Sequence, residues 1–322
     1  MKTNQKIVFM GTPDFAAHIL NDLVDKNHNV VGVITTPDKP AGRGYKIQQS
    51  AVKKVALKHE LTLLQPEKLK DEDFIQSLQA LEANVFVVIA FRMLPKVVWN
   101  MPKHGTFNLH ASLLPQYRGA APIHWAVVNG ETETGVTTFF IDEKIDTGEI
   151  IANKTCKIEE NDTVGKLHDK LMLIGSDLVH ETLLDIESGN VKPIPQEQLV
   201  TKHQLELKEA PKLFKSNCQL NFNLPTKEVY NKIRGLNPFP GAWAKLTTEE
   251  EKSKQLKCYE CRFELVDHNL DIGQFIFENK EVKIACLDGF ILLDQLQLEG
   301  KKRMKALDFA RGFNFDKTYL LK

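Results

Sequence analysis

Three side chains in one stretch could together transfer an acyl group to an amine: Asn108, His110 and Asp146. The run TFNLH, Thr106 to His110, alternates polar and apolar residues, so Asn108 and His110 leave the same face of a short strand. A polar pair at the end of an otherwise apolar strand calls for partners, because a buried polar group without one is costly. The chain then turns at Pro115 and Gly119, and a helix is expected from Pro122 to Asn129. The strand TGVTTFFI follows and leads into the acidic loop DEKIDTG, which can bring Asp146 back to the strand end. Direct attack of an amine on a one-carbon acyl group passes through a tetrahedral oxyanion. A side-chain amide and a protonated imidazole can donate to that oxygen, one such donor being worth about 2.7–4 kcal/mol. A nearby carboxylate can hold the imidazole protonated and take a proton from the amine. The amine must be neutral to attack, and a free α-amino group has a pKa of about 7.7–8.0. No Ser or Cys nucleophile is required, and Ser112 has no nucleophile-elbow surroundings. Singly, each residue also has a structural reading. Asn108 could pair backbone groups, His110 could be a satisfied core histidine, and Asp146 could form the turn before Gly148. Their convergence at one strand end favours a site.

The surrounding pattern supplies the frame. KIVFM (residues 6–10) reads as a buried strand, followed by a helix with Phe15, Ile19, Leu20 and Leu23 on one face, then the strand NVVGVIT. Apolar strands alternating with helices imply a parallel sheet. Of the dinucleotide-binding glycine fingerprint only Gly11 is present, with Pro13 and Ala16 at the later positions, so a NAD-dependent oxidoreductase is disfavoured. His18 and His28 are expected at the surface. Residues 36–50, TPDKPAGRGYKIQQS, are long and rich in Gly and Pro for a connection and carry Lys39, Arg43 and Lys46. They fit a solvated loop and a basic finger for a polyanion equally well. NVFVVIAF (84–91) is the most apolar strand and is expected at the centre of the sheet. It ends in Phe91-Arg92-Met93-Leu94-Pro95, a candidate pocket wall, since ligands of open parallel sheets bind beyond the carboxyl ends of the strands.

After the strand IIANKTCKI and a helix over 163–187, residues 188–212 lack a hydrophobic period, contain prolines and read as a linker bearing Lys202, Lys208 and Lys212. From Leu213 one helix and several short alternating strands predict a small β-barrel. The expected division is 1–187, a linker over 188–212, and 213–322. The basic run Lys301, Lys302, Arg303 and Lys305 reads as an exposed cap on a terminal helix.

Bulk properties narrow the function classes. The formal net charge is +0, so any nucleic-acid contact must come from local patches. No apolar run reaches membrane-spanning length and no leader is read at the N-terminus, which suggests a cytoplasmic protein without membrane contact. Five cysteines without framework spacing fit reduced thiols. Cys258 and Cys261 form a lone CxxC in a strand, and no metal is expected.

The stretch NLHASLLPQYRGAAPIHWAVVNGETETGVTTFFIDEKIDTG resembles the signature of the folate-dependent formyltransferases. FMGTPDFAAHIL and VVGVITTPDKPAGRGYKI extend the resemblance over nearly the whole chain, toward the branch whose acceptor is an aminoacyl-tRNA. The resemblance implies an α/β Rossmann-like formyltransferase domain followed by a small OB-like β-barrel. It implies 10-formyltetrahydrofolate as donor and the amine of methionine on initiator tRNA as acceptor, for translation initiation. Carried onto matching positions, Asn108, His110 and Asp146 are the catalytic trio. Ser112, Leu113, Leu114 and Pro115 line the folate site, bordered by Phe91, Arg92, Leu94 and Asp142. The loop around Arg43, with Lys39 and Lys46, engages the tRNA acceptor end, and Lys208 and Lys212 with the barrel face the acceptor arm. AFRMLP is one residue shorter than the family's AYGxILP, so the pterin contacts near Arg92 are expected to differ. Other acceptors, a sugar-nucleotide amine or glycinamide ribonucleotide, would need neither the basic loop nor a barrel. A purely binding protein would not need the trio. A monomer is expected.

Overall fold

The computed structural model describes residues 4–41, 46–247, 253–315 and 318–322. The chain begins with β1 (Ile7–Gly11), α1 (Asp14–Asp25), β2 (Val30–Ile34), β3 (Lys39–Ala41), β4 (Lys46–Gln48), α2 (Ala51–Lys58) and β5 (Leu63–Leu64). It continues through α3 (Glu72–Gln79), β6 (Val85–Ile89), α4 (Lys96–Trp99), β7 (Thr106–His110), β8 (Arg118–Gly119), α5 (Pro122–Val128) and β9 (Glu133–Phe140). Next come β10 (Ile150–Lys157), α6 (Val164–Ser188), α7 (Gln196–His203), β11 (Glu209–Ala210), α8 (Thr226–Gly235), β12 (Ala242–Thr247) and β13 (Ser253–Leu265). The last elements are β14 (Phe275–Glu278), β15 (Glu281–Ala285), β16 (Gly289–Leu298), β17 (Met304–Lys305), α9 (Ala306–Arg311) and β18 (Leu320–Leu321). Two compact units result: Met1–Gly119 with Thr134–Cys156 and His168–Glu209, and Ala120–Glu133 with Lys157–Leu167 and Ala210–Lys322. This division is more interleaved than the expected cuts at 187 and 212.

The first unit holds a sheet in the order β10-β9-β7-β6-β1-β2-β5, with the apolar β6 at its centre as its composition predicts. β1 runs parallel to β2 and β6, β2 to β5, and β6 to β7. β9 lies antiparallel to β7, so the sheet is parallel at its heart and mixed beyond it. The strand order reverses at β1 and β6. This is the switch point at which open α/β sheets bind ligands beyond their carboxyl ends, and β7 is the next strand along. Gly11 permits the tight exit from β1: a Cβ there would lie 2.6 Å from Ala16 Cβ and 3.0 Å from Ile89 O. α1 buries Phe15, Ile19, Leu20 and Leu23, the predicted apolar face.

The structure adds detail to three of these expectations. The Gly/Pro-rich connection is no open loop: β3 and β4 pair antiparallel, Lys39 with Gln48 and Ala41 with Lys46. The proposed linker contains helix α7, whose first residue, Gln196, is only 2% exposed. The helix has no regular apolar stripe, but it buries Gln196 and packs Leu199 against Leu114, Phe139 and Ile150. His28, expected at the surface, is buried, with Nε2 2.7 Å from Nδ1 of His180 on α6. Burial, with His180 beside it, pushes the His28 imidazole down to about 4. His28 follows the α1 turn and precedes β2, a place where helical periodicity carries no information.

The second unit is built on the antiparallel sheet β14-β15-β16-β13-β12-β18. β13 is long, and its register with β16 slips around Glu260, the irregularity that lets a strand bend. The two edge strands meet: Phe275 N donates to Tyr319 O (3.0 Å), and Leu321 N to Gly273 O (2.8 Å). The sheet thus curls onto itself, which removes exposed edges. Its interior is filled by Leu256, Cys258, Phe275, Ile284, Ile291 and Leu296, with Val229 and Ile233 of α8 packed over it. Cys258 and Cys261 sit in β13 as free thiols, and burial pushes the Cys258 thiol up to about 12. α5 packs on α8 through Gly235, where a Cβ would lie 2.6 Å from Val128 Cγ2.

Candidate active site

Both ends of the candidate site are set by β7 and by the loop after β9. Asn108 pairs opposite Phe139 and His110 opposite Thr137, two positions apart, so both side chains leave one face as the alternation predicts. His110 is 7% exposed. Its Nε2 lies 2.8 Å from Tyr117 O. A carbonyl only accepts, so Nε2 carries the proton. Nδ1 is therefore the nitrogen that faces Asp146, 3.7 Å from Oδ2. That separation exceeds hydrogen-bond length, so Asp146 faces Nδ1 without a hydrogen bond to it. Asn108 is half-buried, and its side-chain amide has no hydrogen-bond partner among the described residues. An unspent amide on the same strand face as His110 is what a ligand carbonyl would use.

The Asp146 loop is held from several directions. Asp146 has φ of 55°, a left-handed conformation that Asp tolerates better than most residues. Its Oδ2 accepts from Gly119 N (2.9 Å). Gln196 Nε2 donates to Asp146 O (3.0 Å) and Gly148 O (2.8 Å), while Arg118 holds Gln196 Oε1 from Nε (2.9 Å) and Nη2 (2.6 Å). Gly148 is required sterically, since a Cβ would fall 1.7 Å from Phe140 O. Gln196 and Arg118 were not predicted. A buried glutamine inside a polar, proline-containing segment leaves no trace in hydrophobic periodicity.

The segment from Ser112 to Pro115 is locked as well. Thr137 Oγ1 donates to Ser112 O (2.7 Å) and accepts from Leu114 N (3.1 Å). Ser112 Oγ donates to Gln116 O (2.6 Å), so this hydroxyl is committed to the backbone. Leu114 packs into the cluster of Phe139, Ile150 and Leu199, and Pro115 is buried, which leaves Leu113 as the more open member. Of the second wall, Leu94 is buried and Phe91 packs partly on the same cluster. The Arg92 guanidinium donates to the carbonyls of Pro66 and Glu67, and burial lowers its pKa. Asp142 folds into its own loop, accepting from Lys144 N (3.0 Å) and Thr147 Oγ1 (2.8 Å).

The basic candidates sit on separate elements. Lys39 is exposed on β3, Lys46 lies on β4, and Arg43 falls outside the described residues. Lys208 is exposed, its backbone fixed by Gln116 Oε1 (2.8 Å) and Tyr117 N (2.7 Å). Lys212 is exposed beside the Phe214 ring, 5.8 Å from its centroid.

The family described as Formyl transferase matches residues 5–183, and its C-terminal domain matches residues 212–314. The chain belongs to the formyl transferase family. It is 53% identical over 322 residues to the methionyl-tRNA formyltransferase of Bacteroides fragilis, covering 100% of this chain and 99% of that one. Among solved structures, HypX from Aquifex aeolicus in complex with tetrahydrofolic acid is similar with a TM-score of 0.63 at 17% identity, over 98% of this chain. This chain spans about half, 51%, of HypX. An N-formyltransferase from Helicobacter canadensis in complex with folinic acid and dTDP-3-aminofucose has a TM-score of 0.61 at 21% identity, over 90% of this chain and 98% of that one. The family membership agrees with the sheet architecture and with the polar set at the end of β7. No helix among the described residues is long and apolar enough to cross a membrane.

Proposed function

We propose that the chain transfers the formyl group of 10-formyltetrahydrofolate to the free amino group of methionine on initiator methionyl-tRNA, supplying translation initiation in the cytoplasm, and that it acts as a monomer. The observation that carries this reading is the buried His110 facing the half-buried Asp146, Nδ1 to Oδ2 3.7 Å, in a chain alike over its whole length to methionyl-tRNA formyltransferases. The donor set fits a formyl carbonyl, because the Asn108 amide is unspent and half-buried beside it. The wall residues Phe91, Leu94 and Leu113 would hold the folate, with the Asp142 loop at their border. When bound, the folate supplies an activated one-carbon acyl group.

The protein's own groups do the rest. Asn108 donates to the carbonyl oxygen as negative charge develops there. His110 donates through Nδ1, since Nε2 is occupied by Tyr117 O. Both act where charge appears in the transition state, which is where donors are worth most. Asp146 holds positive charge on the imidazole and receives the proton that the attacking amine must lose. The committed Ser112 hydroxyl favours direct transfer over an acyl-enzyme. Exposed Lys39, Lys208 and Lys212, with Arg43 and Lys46, would meet the phosphates of tRNA. The test is a labelled formyl-transfer assay with the folate donor, comparing charged initiator tRNA, charged elongator tRNA and small amines. The reading requires transfer to the initiator tRNA above both others; preference for a small amine would overturn it.

A further inference from the structure

The second unit carries a cavity of about 620 Å³ whose lining is neither a barrel core nor an ordinary polar cleft. Two of its rings are largely in the open, Phe239 at 77% and Phe214 at 60% exposed, while Trp243 forms a buried wall. Three lysines share the lining, Lys212, Lys215 and Lys257. Among the described residues none of the three forms an ion pair with a carboxylate and no Asp or Glu lines the cavity; Lys257 Nζ donates to Pro240 O (3.1 Å). Lys215 Nζ sits 5.3 Å from the Trp243 ring and Lys212 Nζ 5.8 Å from the Phe214 ring, so the cations are held over ring faces. The frame is stiff. Trp243 Nε1 donates to Lys215 O (2.9 Å), Trp125 Nε1 to Pro211 O (2.8 Å), and His124 Nε2 to Phe239 O (3.2 Å).

Exposed flat rings beside uncompensated ammonium groups are the elements that bind single-stranded nucleic acid. A base stacks on a ring whatever its identity, and its phosphate takes a lysine. An acidic peptide would use the lysines and leave both open ring faces idle. We propose that this cavity is a stacking site for an unpaired nucleotide of the tRNA, its base on Phe239 and Phe214 and its phosphate on Lys212, Lys215 and Lys257. The proposal rests on the reading of charged tRNA as substrate and adds to it a sequence-tolerant contact in the C-terminal unit.

The test is equilibrium binding of the full chain to two probes, charged initiator tRNA and a fluorescein-labelled short single-stranded RNA. Wild type is compared with Phe239→Ala, Phe239→Tyr and Lys215→Ala, each checked for a wild-type melting curve. Phe239→Ala should weaken both probes about tenfold, and Phe239→Tyr should retain affinity because the stacking face remains. Lys215→Ala should lower the slope of log affinity against log salt by about 0.7 on the single strand. Wild-type affinity of Phe239→Ala for both probes overturns the stacking site. Formyl transfer by the wild type, assayed in parallel, separates the two readings. Transfer to charged tRNA with unaltered binding by Phe239→Ala removes the cavity alone; absence of any transfer to tRNA removes the enzymatic reading and the cavity with it.

Discussion

The loop around Asp146 and the cavity around Phe239 use opposite physical strategies. In the first, most of the polar groups are spent on the protein itself. The Asp146 carboxylate takes a backbone N–H, its carbonyl takes Gln196, and His110 is fixed by Tyr117 O. Left open among the described residues are the Asn108 amide and His110 Nδ1, which meets Asp146 only at 3.7 Å. In the second, rings stand in the open and the lysines have no carboxylate partner among the described residues. Chemistry needs donors held in place before charge develops, so that no reorganisation is needed in the transition state. Recognition of a long polyanion tolerates looser groups, because many weak contacts add. The two regions should therefore respond differently to substitution: the first in turnover, the second in affinity and its salt dependence.

The strongest challenge to that contrast is His110→Ala or Asn108→Ala. Each should lower kcat by about 10²–10³, the range for one oxyanion donor, with little change in affinity for charged tRNA; steady-state kinetics beside a binding titration would show it. A loss confined to KM would make the site a binding device. Next comes Gly148→Ala. Its Cβ would lie 1.7 Å from Phe140 O, so the loop must move. Stability should fall by about 1–3 kcal/mol as in an overpacked core, and turnover should fall with it, read by denaturant melts and rate. Gln196→Ala is milder. It removes the two hydrogen bonds that hold the Asp146 loop and should cost about tenfold in kcat. Gln196→Glu cannot donate to Asp146 O and Gly148 O when ionised and should not rescue it.

A control lies outside both regions. The neutral His28–His180 pair is favoured in the folded chain, since burial holds the His28 imidazole near 4 against an ordinary 6.5. The unfolded chain then binds the extra proton first as pH falls. Stability from this group is full above about 6.5 and declines as pH drops toward 4. Thermal melts should show that slope, and His28→Asn should flatten it without touching the contrast between the two regions.

Much of this molecule was legible beforehand because apolar periodicity encodes it. β1, β2, β6 and α1 are written in runs of Val, Ile, Leu and Phe, and β6 proved central. The alternation in TFNLH was enough to place Asn108 and His110 on one face, and the acidic loop after TGVTTFFI was long enough to return Asp146. What escaped is held by polar groups. Gln196 is buried for its hydrogen bonds, and His28 for its pairing with His180. The Arg92 guanidinium is held by two backbone carbonyls, of Pro66 and Glu67. Such satisfaction is decided by three-dimensional neighbours, which no local pattern announces. The β3–β4 ribbon was hidden for a related reason, since short exposed strands carry little apolar signal.

The central claim is that Asp146 serves the chemical step through His110 and the amine, while binding rests elsewhere. Single-turnover transfer of labelled formyl by Asp146→Asn, with donor and charged initiator tRNA both saturating and tRNA affinity titrated in the same preparation, tests it directly. The account predicts a rate reduced by about two orders of magnitude or more with tRNA affinity close to that of the wild type. A rate near wild type, or a loss wholly explained by weaker tRNA binding, would contradict it.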